Sequence, residues 1–140
     1  MKLIIVSVTV LIALNFAYAG EKKSGMIKAI AGKCKKQENA SDDDLDKMSK
    51  GEPIESKEGK CMAACLGEQF GMLKDNKLDT ESAMKKMGKM MGKDDDKKQK
   101  MEESLKACAE TTDADRCEAA DKIFQCLKAE TKKRGIDFMN

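Results

Sequence analysis

Six cysteines are the residues of this chain whose type and spacing point most directly to a chemistry. They are Cys34, Cys61, Cys65, Cys108, Cys117 and Cys126. An even number of cysteines indicates a disulfide framework when a chain is exported to an oxidising compartment. Zinc binding is the competing use of cysteine, but the chain has no histidine and no two cysteines separated by two residues. We therefore expect neither a metal nor a cofactor.

The N-terminal segment indicates export. Met1-Lys2 gives a short positive start, an apolar run continues to Ala17, and Ala17-Tyr18-Ala19 has the small-x-small pattern of a cleavage site. Residues 1–19 therefore match a secretory signal peptide, and residues 20–140 would form one extracellular domain. The apolar run is short for a bilayer span, so we expect no stable membrane insertion.

Helix geometry limits how the cysteines can pair. Cys61 and Cys65 lie one turn apart on one predicted helix, where their Cβ atoms would be about 5–6 Å apart, too far for a disulfide. Cys117 and Cys126 lie nine residues apart on another, about 13.5 Å along its axis. Excluding these two pairs leaves ten of the fifteen possible pairings open.

The mature segment is predicted to form about six helices. Apolar residues recur at helical spacing, β-branched residues are rare, and Pro53 is the only proline. The expected N-terminal caps are Ser41 with Asp44, Asp79 or Thr80, the run Asp94–Asp96, and Thr112 with Asp115. A turn is expected at Lys74–Lys77, and Lys132-Lys133-Arg134 before Gly135 is typical of a helix end.

Composition excludes several functions. With 27 basic and 25 acidic residues, the chain has no basic excess for binding nucleic acid. Without histidine it cannot form a Ser–His or Cys–His nucleophile, so we expect no enzyme. The aspartate-rich stretches lack the glycine and terminal glutamate of a calcium-binding loop, and they are interpreted as helix caps and solvated surface.

The cysteine spacing C-x26-C-x3-C-x42-C-x8-C-x8-C resembles that of the insect odorant-binding proteins. The resemblance is to the six-cysteine type among the pheromone-binding and general odorant-binding proteins. The leader, the segment Lys60–Leu66 with its two cysteines, and the turn Lys74–Leu78 are similar too. The similarity covers the whole mature chain.

This resemblance implies a structure and a function. The implied disulfides are Cys34–Cys65, Cys61–Cys117 and Cys108–Cys126, which are among the ten pairings left open. The implied fold is a single all-α domain of about six helices around an internal apolar cavity. The implied function is a secreted carrier, a monomer or weak homodimer, that delivers apolar odorants or pheromones to sensory receptors. The alternative is a carrier in saliva, haemolymph or reproductive fluid.

The candidate ligand-binding residues lie on the apolar stripes of the predicted helices and in the tail. They are Phe70, Leu73, Met84, Met87, Met91, Leu105, Phe124, Leu127, Ile136 and Phe138. Helical spacing alone does not separate a cavity wall from a packed core. Methionine side chains adapt to varied shapes. With few aromatic residues beside them, the sequence favours flexible aliphatic ligands with a small polar end.

Overall fold

The protein is described by a computed structural model over residues 25–136, apart from the side chain of Met90. Six helices and one short β-hairpin follow in order: α1 over residues 25–37, α2 Asp42–Lys50, α3 Lys57–Gln69, β1 Leu73–Lys74, β2 Lys77–Leu78, α4 Thr80–Met90, α5 Asp95–Ala107 and α6 Arg116–Lys133. The predicted all-α fold is confirmed. The predicted signal peptide at 1–19, the predicted domain start at Gly20, and Phe138 lie outside the described residues.

Most of the predicted helix starts are confirmed. Ser41 caps α2 by accepting from the Asp44 N–H, while the Asp44 carboxylate accepts from the Ser41 N–H, which is a complete capping box. Asp79 caps α4 and Asp94 caps α5. In each helix a side-chain oxygen satisfies a backbone donor that has no partner within the helix.

The predicted N-cap of α6, Thr112, is wrong by three residues. Asp115 is the cap itself, and its carboxylate accepts from the backbone N–H groups of Cys117 and Glu118. Thr112 instead donates from its hydroxyl to the carbonyl of Asn76 in the β-hairpin. Its hydrogen-bonding partner lies 36 positions earlier in the chain, a contact that the local pattern does not encode.

The predicted turn at Lys74–Lys77 is the tip of a two-stranded β-hairpin. Leu73 pairs with Leu78 and Lys74 with Lys77, and the two central residues both have positive φ, 51° at Asp75 and 59° at Asn76. Asp and Asn tolerate this left-handed conformation, which suits the twist of a tight hairpin. Leu73 and Leu78 are both buried as a result.

The buried side chains form two clusters. One includes Met87, Met101, Leu105, Ile123 and Leu127 and joins the hairpin with α3 to α6. The other lies between the first three helices and is formed by Ala31, Cys34, Ala40, Met62, Cys65 and Leu66. Helix α3 contributes to both, because Ala63 and Ala64 belong to the first cluster and Met62, Cys65 and Leu66 to the second.

Three disulfides connect these helices. Cys34–Cys65 joins α1 to α3, Cys61–Cys117 joins α3 to α6, and Cys108–Cys126 joins the end of α5 to α6. These are the three pairs that the resemblance implies. All six cysteines lie in the described part of the chain, and none is free.

Candidate ligand cavity

A cavity of about 510 Å³ lies between α6 and the segment that joins α2 to α3. Its size falls in the range of small-molecule sites in proteins. The apolar lining residues are Met48, Ile54, Ala63, Phe124, Leu127 and Ile136. Two glycines and seven polar residues complete the lining: Gly51, Gly135, Lys50, Glu52, Asp121, Gln125, Lys128, Thr131 and Lys132.

One wall of the cavity is a single face of α6. Phe124, Leu127 and Thr131 follow one another at steps of three and four residues, which places them on one side of the helix. Leu127 and Thr131 are buried, and Phe124 is half-buried. Basic residues and a left-handed Gly135 end the helix, and Ile136 then turns back onto the cavity.

The opposite wall is the segment that joins α2 to α3, residues 51–56, hereafter the α2–α3 link. Its far end is held by Asp44, a buried carboxylate that accepts hydrogen bonds from the hydroxyls of Ser41 at 2.8 Å and Ser56 at 2.6 Å. Ser56 in turn caps α3 by accepting from the Gly59 N–H. The Ser56 hydrogen bond is the main reason that the pKa of Asp44 lies below its ordinary value.

The near end of the link is held from α6. Gly51 ends α2 with φ 68°, in the left-handed region that glycine adopts without strain. The Lys128 ammonium donates to the Gly51 carbonyl, across the cavity from one wall to the other. The link is therefore held by helices at both ends, which fixes this wall of the cavity.

Ile54 in the middle of the link packs directly on α3. A Cβ atom added at Gly59 would lie 2.4 Å from Ile54 Cγ2 and 2.7 Å from Asp44 Oδ1. Only glycine at position 59 allows this approach, because real Cβ contacts are never so short. The position of the link thus depends on the absence of a side chain in α3.

Four of the seven polar residues of the lining, namely Lys50, Asp121, Lys128 and Thr131, have partners within the protein. The buried Thr131 hydroxyl donates to the Leu127 carbonyl at 2.7 Å, so its oxygen lone pairs are what it offers to a ligand. Asp121 lies 3.9 Å from Lys60. Within residues 25–136 no three His, Cys, Asp or Glu side chains come together as a metal site would require.

The structure brings three of the ten predicted ligand-binding residues to the cavity and places the others elsewhere. Phe124, Leu127 and Ile136 line it. Leu73, Met87 and Leu105 are buried in the larger core cluster, Met84 and Met91 pack against that cluster, and Phe70 packs against the smaller one. Met84 and Leu105 also line a second groove, of about 360 Å³, between α4 and α5. Phe138 lies outside the described residues.

Twelve of the fifteen lining residues were not predicted, among them the apolar Met48, Ile54 and Ala63 and the buried Thr131. The α2–α3 link has no helical periodicity, so Ile54 belonged to no apolar stripe. A usable signal was the isolated Ile54 directly after Pro53, since a single apolar residue in a charged link often has a packing partner. Met48 is the single methionine among the described lining residues. The predicted methionines Met84, Met87 and Met91 therefore do not form the wall of this cavity.

Comparisons with known proteins agree with this fold. A profile of the PBP/GOBP family matches residues 17–130. General odorant-binding protein 28a of Drosophila melanogaster is 34% identical over 137 residues, which cover 95% of this chain and 96% of that protein.

Solved structures give the same result. The odorant-binding protein dmelOBP28a from Drosophila melanogaster matches with a TM-score of 0.72 and 32% identity, over 84% of this chain and 98% of that one. The fatty acid binding protein OBP56a from the oral disk of the blowfly Phormia regina matches with a TM-score of 0.67 and 26% identity, over 81% of this chain and 95% of that one.

The chain therefore belongs to the PBP/GOBP family of odorant-binding proteins. Membership supports a carrier of small ligands rather than an enzyme. Of the helices in residues 25–136, none has both the length and the apolar character that crossing a bilayer demands.

Proposed function

We propose that the protein is exported as residues 20–140 and carries small apolar ligands in the cavity between α6 and the α2–α3 link, for delivery to sensory receptors. The cavity is the observation that carries this proposal. Its volume is about 510 Å³, and the apolar part of its lining is formed by Met48, Ile54, Ala63, Phe124, Leu127 and Ile136. Such a surface binds apolar molecules because water leaves both partners on association.

The shape and polarity of the lining favour an aliphatic chain that ends in a small polar group. Aromatic stacking is limited to one ring, that of Phe124, among the described lining residues. A polar end could accept from Lys128 or Lys132 or donate to the Thr131 oxygen. The likeness to a blowfly protein whose title describes it as fatty acid binding supports a ligand of this kind.

Ligands of about 10–16 carbons are expected to bind with micromolar affinity. Each buried methylene contributes about 0.8 kcal/mol, which corresponds to about a fourfold gain in affinity per carbon before the cost of association. This gain should stop once the chain is longer than the cavity.

The test is displacement of an apolar fluorescent probe by a series of alcohols and acids that differ only in chain length. We expect affinity to rise with each carbon to an optimum and then fall. Affinity that is independent of chain length would contradict binding inside the cavity.

Delivery to receptors is tested separately, by locating the protein in tissue. We expect it in the fluid around chemosensory neurons. Its presence only in saliva, haemolymph or reproductive fluid would contradict sensory delivery and leave the carrier function in place.

A further inference from the structure

The tripeptide Asn39-Ala40-Ser41 lies in the connection between α1 and α2. Asparagine followed two residues later by serine, with a residue other than proline between them, is the acceptor sequence for N-linked glycosylation. Of the four asparagines in the chain, only Asn39 is followed by this pattern.

Asn39 is placed where a glycan can be accommodated. The residue is exposed and has φ 56°, just beyond the end of α1, where asparagine commonly ends a helix. Surface loops are the positions at which glycans occur, because a bulky hydrophilic group cannot be buried.

In the folded protein the Ser41 hydroxyl is hydrogen-bonded to Asp44. This hydroxyl donates to Asp44 Oδ2 at 2.8 Å and accepts from the Asp44 N–H at 3.0 Å. Recognition of the acceptor sequence must therefore precede the capping of α2. Other residues could serve either structural role, since glycine commonly ends helices and asparagine or aspartate commonly caps them.

We propose that Asn39 is a site of N-linked glycosylation. This inference rests on the export in the proposed function, because the transferase acts in the secretory pathway. The co-substrate is an oligosaccharide linked to a polyprenyl pyrophosphate. The Asn39 amide nitrogen forms a bond to C1 of the first N-acetylglucosamine and loses one proton to a base of the transferase. The bond between C1 and the pyrophosphate oxygen breaks, and the lipid pyrophosphate leaves with the electron pair.

The glycan lies away from the ligand cavity. Asn39 precedes the N-terminal end of α2, whereas Gly51, which lines the cavity, follows its C-terminal end. Nine helical residues separate the two ends by about 13 Å. A glycan there would therefore enlarge and solubilise the face around the α1–α2 connection, at the opposite end of α2 from Gly51.

The test is to express the full chain in insect cells and to measure the intact mass of the secreted protein before and after treatment with an N-glycosidase. Four forms are compared: the natural chain, Asn39→Asp, Ser41→Asn and Ser41→Thr. The first two variants keep residues suited to a helix end or cap but lack the acceptor sequence. Ser41→Thr keeps both the cap and the acceptor sequence.

We expect one enzyme-sensitive increase in mass in the natural chain and in Ser41→Thr, and none in the other two. Asn39→Asp leaves the Ser41–Asp44 capping box in place and should bind the probe with the affinity of the natural chain. Natural protein that is secreted at its unmodified mass would overturn the proposal. Protein that stays unmodified inside the cells would overturn the export, and with it this inference, while leaving ligand binding measurable.

Discussion

Phe124 and Phe70 are half-buried phenylalanines with different surroundings. Phe124 lines the cavity, whereas Phe70 packs against the cluster between the first three helices. Phe124→Ala should lower the affinity for a long-chain ligand by about tenfold, because a ring of this size contributes about 1.5 kcal/mol or more when it covers an apolar partner. Probe displacement measures the change.

Phe70→Ala is the matched control for that substitution. It removes the same ring and should lower the melting temperature while leaving ligand affinity unchanged. Equal losses of affinity in the two variants would show that the cavity beside α6 is not the ligand site. The melting temperatures of both variants show how much of each effect is loss of stability.

Single residues also mark the limit of prediction from sequence. Leu127 belongs to a helical stripe, and the stripe correctly indicates that it is buried. Leu105 belongs to an equally clear stripe and is buried in the same cluster, yet only Leu127 of the two lines the cavity beside α6. The difference depends on how α5 and α6 face their neighbours, and periodicity along one helix carries no such information.

At the scale of elements, glycines in α3 and α4 should respond oppositely to alanine. Gly88→Ala should stabilise the protein by about 0.5–1 kcal/mol, because alanine favours a helix and the nearest atom to its Cβ would be Met84 Cε at 4.0 Å. Gly59→Ala should destabilise it, because the new Cβ would overlap with Ile54 and Asp44. Chemical denaturation measures both changes.

The two glycine variants also separate stability from function. Gly59→Ala displaces the α2–α3 link and should weaken ligand binding, whereas Gly88→Ala should leave it unchanged. Full ligand affinity in Gly59→Ala would contradict the role of the link as a cavity wall.

Helices were predictable from the sequence because the signals that start and end them are local. The capping box at Ser41 and the stop at Gly135 involve residues within one turn of each other. The strands β1 and β2 were not predicted, since only the turn between them has a local signature. The α2–α3 link could not be recognised as a cavity wall, because Asp44, Lys128 and Gly59 hold it from three different helices.

The whole molecule is expected to be insensitive to mild acid. The chain has no histidine, the residue that usually titrates between pH 5 and 8. Hydrogen bonds from backbone amides, hydroxyls or cationic side chains lower the pKa of Asp44, Asp79, Asp113, Asp115 and Glu130. A carboxylate with a lowered folded-state pKa stabilises the fold above its unfolded value near 4 and loses that effect as the pH falls through the folded value.

Ligand affinity should therefore change by at most a few-fold from about pH 7.4 to about pH 5.5, with unfolding only below about pH 4. Probe displacement at both pH values measures the change in ligand affinity. Circular dichroism through the acid range measures the pH at which the protein unfolds. A hundredfold loss of affinity at the lower pH would contradict this and would indicate a carboxylate whose pKa is raised.

A cavity removes packing contacts that a filled core would supply, and the disulfides offset that loss. The bridges close loops of 31, 56 and 18 residues. For such loops the restriction of the unfolded chain corresponds to about 3–4 kcal/mol each, with overlap making the sum smaller. Reduction of the three disulfides should therefore lower the melting temperature strongly, both in the presence and in the absence of a ligand.

The arrangement of the three bridges also determines what a protease can remove. Every peptide bond between Cys34 and Cys126 is spanned by at least one disulfide, so a single nick there releases no fragment. Leu127, Thr131 and Ile136 follow Cys126 and lie outside this protected interval, although they form part of the cavity wall. Trimming from the carboxyl end would therefore discharge the ligand and leave the cross-linked remainder of the molecule intact.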